Sequence, residues 1–182
     1  MLLRWLCAIV VLPGTVVVLV PLAILSLESG GVGSIGVASP REWQFWLGTA
    51  LAAVGLGFGL WTMSLFFQFG EGTPAPWDPP QKLVIRGPYR HVRNPMIVGV
   101  ILMVLGESQV FGSWWVGLWA ALFFVGNSIY FPLVEEPGLL KRFGKDYNIY
   151  LANVGRWVPR LTPWQPLASS SEEGDAEGET SA

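Results

Sequence analysis

Two acids stand side by side at Glu135-Glu136, directly after an uncharged run from 114 to 134. Upstream, residues 82 to 97 read Lys-Leu-Val-Ile-Arg-Gly-Pro-Tyr-Arg-His-Val-Arg-Asn-Pro-Met-Ile. This block holds Lys82, Arg86, Arg90 and Arg93, four of the chain's eleven basic residues, and it also borders apolar runs. Groups so placed can do two kinds of work. They can bind a polar small molecule, the cations taking its anionic oxygens and the carboxylates its donors. They can instead be anchors, with bases in the headgroup layer and acids snorkelling from a helix end. Gly87-Pro88 gives a turn with a fixed φ. Asn94-Pro95 reads as a helix start, Asn as cap and Pro in the first turn. His91 is the only histidine. It offers a general base, but an interfacial side chain is the plainer reading. Tyr147 and Tyr150 read as helix packing.

The elements that must hold these groups are apolar helices. The chain has 182 residues, 52% hydrophobic and 13% charged, with a mean hydropathy of +0.47. That excludes a soluble domain with an ordinary wet surface. Residues 5 to 27 carry no charge. At 1.5 Å per residue that run reaches about 35 Å, enough for a hydrocarbon core of about 30 Å. Pro13 and Pro21 should kink it. Its length and the lack of a small-x-small site speak against a cleaved signal peptide. Residues 28 to 42 read as a loop. Residues 43 to 70 are a second uncharged run, with Trp43 and Trp46 suited to an interfacial belt. Its Gly48-x-x-x-Ala52 and Gly55-x-x-x-Gly59 place small residues on successive turns for close helix packing within the chain.

Four prolines between 74 and 80 make 71 to 81 a stiff non-helical connection. From Pro95 only about 20 Å of helix precedes Glu107. So the segment runs on to about Phe111 or forms half of a tight hairpin, with its turn at Gly112-Ser113. The next run closes the hairpin. Beyond Glu135 the chain turns amphipathic, with Leu139, Leu140, Phe143, Tyr147, Tyr150 and Leu151 on one face. Residues 165 to 182 read as a disordered acidic tail, holding five of the thirteen acids. Cys7 is the single cysteine, so no internal disulfide forms.

The expected fold is an all-α integral membrane protein. About four transmembrane helices, near 5–27, 43–69, 95–111 and 114–134, precede a C-terminal amphipathic cytoplasmic helix. Residues 1–164 form one domain. With both termini cytoplasmic, Arg41 is the one basic residue of eleven on the outer side, a decisive positive-inside bias. Both charged blocks then lie on one face.

Gly87-Pro88-Tyr89-Arg90-His91-Val92-Arg93-Asn94-Pro95 resembles the Gly-Pro-Tyr-Arg-x-Val-Arg-His/Asn-Pro signature of the isoprenylcysteine carboxyl methyltransferase and phospholipid methyltransferase superfamily. Glu135-Glu136-x-x-Leu139, then Phe143-Gly144-x-x-Tyr147-x-x-Tyr150-x-x-x-Val154 and Val158-Pro159, resembles its C-terminal block. The likeness runs from Thr73 to Pro159; before that the chain matches only as apolar helices. It implies an integral-membrane methyltransferase that uses S-adenosylmethionine, with the cofactor-binding part at 73–160. It implies cofactor contacts from Gln81, Lys82, Leu83, Val84, Tyr89, Asn94, Pro95, Met96, Ile97 and Glu135. Arg90, Arg93 and Glu136 are the catalytic candidates, and Arg90 and Arg93 are expected to pair with Glu135 and Glu136. The implied partners are the bilayer and a lipophilic or lipidated acceptor, with no metal and no nucleic acid.

Three positions depart from the signature. Asn94 stands where many members have His. Ile97 stands where Tyr is frequent. Phe131 stands where prenylcysteine-specific members carry an Arg for the substrate carboxylate. The last puts prenylcysteine in doubt and leaves the acceptor atom open. Two other classes compete: an NADPH-dependent membrane sterol or steroid reductase, which needs further cations for the 2′-phosphate, and a non-enzymatic membrane scaffold.

Overall fold

The computed structural model describes residues 13–70 and 81–165. The start of the first run, most of the proline-rich connection and the acidic tail lie outside them. Among the described residues every regular element is helical and there is no strand. Helix α1 is Gly14–Ser29, a π-helical stretch Gly14–Leu19 that tightens to α-helix at Val20–Ser29. Helix α2 is Trp43–Phe69 and α3 is Pro95–Val110. Helix α4, Trp114–Tyr130, passes through a π-turn Phe131–Glu135 into α5, Glu136–Asn153. Single 3₁₀ turns lie at Val32–Ser34 and Gly87–Arg90.

Two helices are long and apolar enough to cross a membrane, Trp43–Phe69 and the continuous run Trp114–Asn153. Only 11% and 17% of their most apolar stretches are buried inside the protein. A soluble core helix would be covered nearly all round. Here Trp46, Val54, Leu60, Trp61 and Phe67 of α2 stand exposed. Helices α1 and α3 are apolar but have 16 residues each, counting α1 as 6 plus 10. That is about 24 Å of helix.

Helices α3 and α4 make the tight hairpin. Helix α3 ends at Val110, and Gly112 takes the left-handed φ of +62° that the reversal needs. Ser113 caps α4, its Oγ accepting from the Val116 N–H at 3.2 Å. Helix α2 packs along α3 at backbone contact. A Cβ on Gly55 would lie 2.5 Å from the Gly99 carbonyl oxygen, and one on Gly106 would lie 2.5 Å from that of Gly48. Thus the small residues of α2 serve packing within the chain, and their partners are Gly99 and Gly106. Val17, Leu25, Val100, Val104, Val116 and Ala120 form the core between α1, α3 and α4. The Trp119 indole N–H ties α1 to α4 by donating to the Val16 carbonyl at 3.0 Å.

The expected C-terminal amphipathic helix forms as α5 and continues directly from α4. Pro132 lacks the N–H that an α-helix needs and its ring crowds the turn before it. The chain widens there to a π-turn instead of ending. One expectation needs correction: the apolar face of α5 is not continuous. Gly144 sits at φ +53°, ψ −125°, a conformation open to glycine alone in practice, and kinks the helix. Tyr147 and Tyr150 beyond the kink are buried, whereas Leu140 before it is exposed.

Candidate functional site

The basic block leaves the end of α2 and returns to it. Arg86 lies over the Phe69 ring, 4.2 Å from its centroid. The 3₁₀ turn Gly87–Arg90 begins at Gly87, φ +53°, and carries Tyr89 inward. Tyr89 is buried, edge-on to Phe66 with ring centroids 5.4 Å apart. Its hydroxyl pairs with Thr62, and its carbonyl accepts from the Tyr150 hydroxyl at 2.7 Å. Burial, with smaller contributions from Tyr150 and Glu135, holds the Tyr89 phenol well above its ordinary pKa. It stays neutral and able to donate.

The two sequence blocks line one cavity of about 350 Å³. The end of α2 contributes Phe66, and the basic block Lys82, Leu83, Val84, Tyr89, Arg93 and Asn94. Met96 and Ile97 come from the first turn of α3. The α4–α5 run adds Tyr130, Phe131, Val134, Glu135, Gly138, Leu139, Arg142, Phe143, Tyr147 and Tyr150. The π-turn matters here, because Phe131, Val134 and Glu135 all reach the cavity from it. A volume of a few hundred cubic ångströms suits a cofactor-sized molecule.

One corner presents unpaired hydrogen-bond donors. Asn94 makes no side-chain cap on α3, and Pro95 fills the first helical position. The N–H groups of the first turn therefore lack a side-chain acceptor. The Asn94 Nδ2 and Arg93 Nε atoms are buried with no hydrogen-bond partner among the described residues. A buried unpaired donor is costly unless something accepts from it. The rest of the cavity wall is mostly apolar. Glu135 lines the cavity yet is exposed, so it stands at the rim.

Not every expected residue faces the cavity. Gln81 and Pro95 do not line it, and neither do the catalytic candidates Arg90 and Glu136. Glu136 is an ion-pair hub: its Oε1 accepts from Arg93 at 2.6 Å and from Arg156 Nε at 3.0 Å, its Oε2 from Arg156 at 3.0 Å. Arg90 donates from Nε to the Trp164 carbonyl at 2.8 Å. Of the expected pairings only Arg93 with Glu136 forms, because Arg90 is turned toward the chain's C-terminal segment. His91 packs there too, its Nδ1 2.8 Å from the Arg160 carbonyl oxygen.

That segment was legible only in part, as Val158-Pro159 at the end of the C-terminal block, and its path along the basic block was not. Residues 155 to 164 lie along the basic block as a strap. The Arg93 N–H donates to the Gly155 carbonyl, Arg160 N–H to His91, and Trp164 N–H to Arg90, each at 2.9 Å. Trp157 backs Phe131, with ring centroids 6.0 Å apart. Arg156 and Arg160, on either side of that Val158-Pro159 pair, counted in the sequence only as inward cations.

Two helices long and apolar enough to cross a membrane, with a cavity polar at one corner and apolar elsewhere, are the features of a membrane protein. The chain belongs to the phospholipid methyltransferase family, whose model matches residues 43–146. The match extends the likeness back through α2, which supplies Phe66 to the cavity and the glycines that fix α3. No curated protein and no solved structure matches the chain.

Proposed function

We propose that this protein is an integral-membrane methyltransferase that uses S-adenosylmethionine to methylate a lipophilic acceptor, prenylcysteine-like or phospholipid-like. The observation that carries this reading is the shared cavity: two blocks separated by a helical hairpin line one cleft with an anion corner and an apolar wall. Bound S-adenosylmethionine supplies an electrophilic methyl group on a sulfonium, open to in-line displacement. The residues present fit such a donor. Asn94, Arg93 and the first turn of α3 would take its carboxylate. Glu135 would accept from its hydroxyls or ammonium. Phe66, Ile97, Phe131 and Val134 would exclude water and flank the acceptor's apolar part. Most of the acceleration would then come from orientation and electrostatics.

Glu135→Gln is expected to keep the fold and weaken S-adenosylmethionine binding. Loss of a charge-assisted hydrogen bond costs about 1.5–3 kcal/mol, roughly 10- to 150-fold in affinity. Titration of the detergent-purified protein checks it, and unchanged affinity would return Glu135 to a snorkelling role. Phe131 is buried in the wall and offers no charge. An acceptor carboxylate would meet no partner there and pay for its desolvation. Farnesylcysteine is therefore expected to be a poor acceptor and Phe131→Arg a better catalyst for it; fast turnover by the wild type opposes this.

The topology belongs to the same reading: four spans, both termini cytoplasmic, the cavity at the inner interface. Reporter fusions after Gly33 and after Ala168 are expected on opposite sides. The same side for both removes the four-span arrangement.

A further inference from the structure

Arg156 lies beyond the residues matched to the family, 43–146, and does not line the cavity. Its guanidinium nevertheless clamps Glu136 with two hydrogen bonds, both 3.0 Å, one to each carboxylate oxygen. Glu136 does not line the cavity either. Its Oε1 also accepts from Arg93 at 2.6 Å, with the Arg93 and Glu136 side chains only 11% and 13% exposed. Arg93 does line the cavity, and its buried Nε is left without a partner. A planar fork on a carboxylate fixes direction as well as distance, which a single contact does not. The order of support is thus strap, Arg156, Glu136, Arg93, cavity.

We infer that Arg156 is a positioning residue for the anion-binding corner of the cavity: it holds Glu136 in the one orientation that keeps Arg93 aimed at a carboxylate. This rests on the cofactor reading above. Without Arg156, Glu136 has one oxygen unpaired and turns to find water. Arg93, held by one bond to Glu136 and by a side-chain hydrogen bond to Tyr147, then loses the fixed one of its two supports. The strap itself does not depend on this side chain. Its backbone bonds, Arg93 to Gly155, Arg160 to His91 and Trp164 to Arg90, do not use the side chain at 156. The effect should therefore fall on ligand recognition more than on folding, and within the ligand on its carboxylate.

The test compares two probes, S-adenosylmethionine and its decarboxylated analogue, bound to full-length protein in detergent. Wild-type protein is expected to prefer the carboxylate-bearing probe. Arg156→Ala is expected to bind S-adenosylmethionine roughly tenfold more weakly with little change for the analogue, since a loosened support blunts only the contact it aims. Arg156→Lys, which keeps the charge and loses the fork, should fall between. Arg160→Ala removes a nearby half-buried cation that donates to the Asn153 carbonyl and does not touch Glu136, and it should leave both affinities within about twofold. Ligand-free thermal unfolding is recorded for each variant, and Arg156→Lys decides the matter if Arg156→Ala does not fold. Unchanged S-adenosylmethionine affinity in a folded Arg156 variant overturns the inference. An equal loss for both probes also overturns it, because that marks general loosening. Failure of the wild type to bind S-adenosylmethionine is a different result: it removes the cofactor reading itself, and the positioning role with it.

Discussion

Glu136→Ala is expected to destabilise the folded protein by about 3–5 kcal/mol, because removing one partner of a buried pair strands the other charge. Here it strands two. Arg93 and Arg156 both depend on this carboxylate, and their side chains are 11% and 25% exposed. Arg93 stands at the seam between the basic block and the α4–α5 run, so its displacement also opens the cavity wall. The partial exposure of Arg156 lets water relieve some of the cost, which favours the lower end of the range. Glu136→Gln keeps an acceptor for one arginine and should lose less. Denaturant or thermal unfolding in one detergent, without ligand, measures both. A loss below about 1 kcal/mol for Glu136→Ala would mean that the hub behaves as a surface ion pair.

The second large effect concerns the α2–α3 contact. Gly55→Leu and Gly106→Leu are expected to prevent stable folding. Even a Cβ at 55 would sit 2.5 Å from the Gly99 oxygen and 2.8 Å from the Met103 nitrogen, both backbone. A Cβ at 106 would sit 2.5 Å from the Gly48 oxygen and 2.7 Å from the Ala52 nitrogen. No side-chain rotation relieves a clash with backbone, so the helices must separate. Association of membrane helices rests on such packing, since lipid is as apolar as leucine. Overpacking typically costs about 1–3 kcal/mol per site for modest insertions, and leucine is not modest. Gly57 supplies the contrast. It lies on the same helix with open space around it. Gly57→Ala should be neutral or slightly stabilising, since alanine is the better helix former by about 1 kcal/mol. Monodisperse folded protein from Gly55→Leu at wild-type yield would show that the contact yields.

The two effects reach the site by different routes. The glycines fix where the first turn of α3 stands against α2, and so where Asn94 meets the wall made by Phe66. The ion-pair hub fixes the basic block against α5. Cofactor binding should be lost in both cases, but only the packing variants should also lose the α2–α3 contact.

The sequence by itself determined the helices and the two charged blocks. Uncharged runs longer than a bilayer core leave helix as the only way to satisfy the backbone in lipid. This is why Trp43–Phe69 and the start at Trp114 were legible to the residue. Gly112-Ser113 was legible as a turn, and Asn94-Pro95 as a helix start, because glycine, proline and capping residues act on their immediate neighbours. The signature residues located Tyr89, Asn94 and Glu135, which the fold brings to one cavity. What only the tertiary structure decided is who faces whom. Adjacent acids look alike in a sequence, yet Glu136 is locked by two arginines while Glu135 stands at the rim. Arg90 and Arg93 look alike, yet one is turned to the strap and the other to the cavity. Those choices depend on a π-turn at Pro132, a kink at Gly144 and a strap that returns from residue 155 to 164. Each is a long-range compromise between a covalent constraint and the packing around it. Neither periodicity nor spacing carries that information, because both describe a helix alone and not the partner against which it settles.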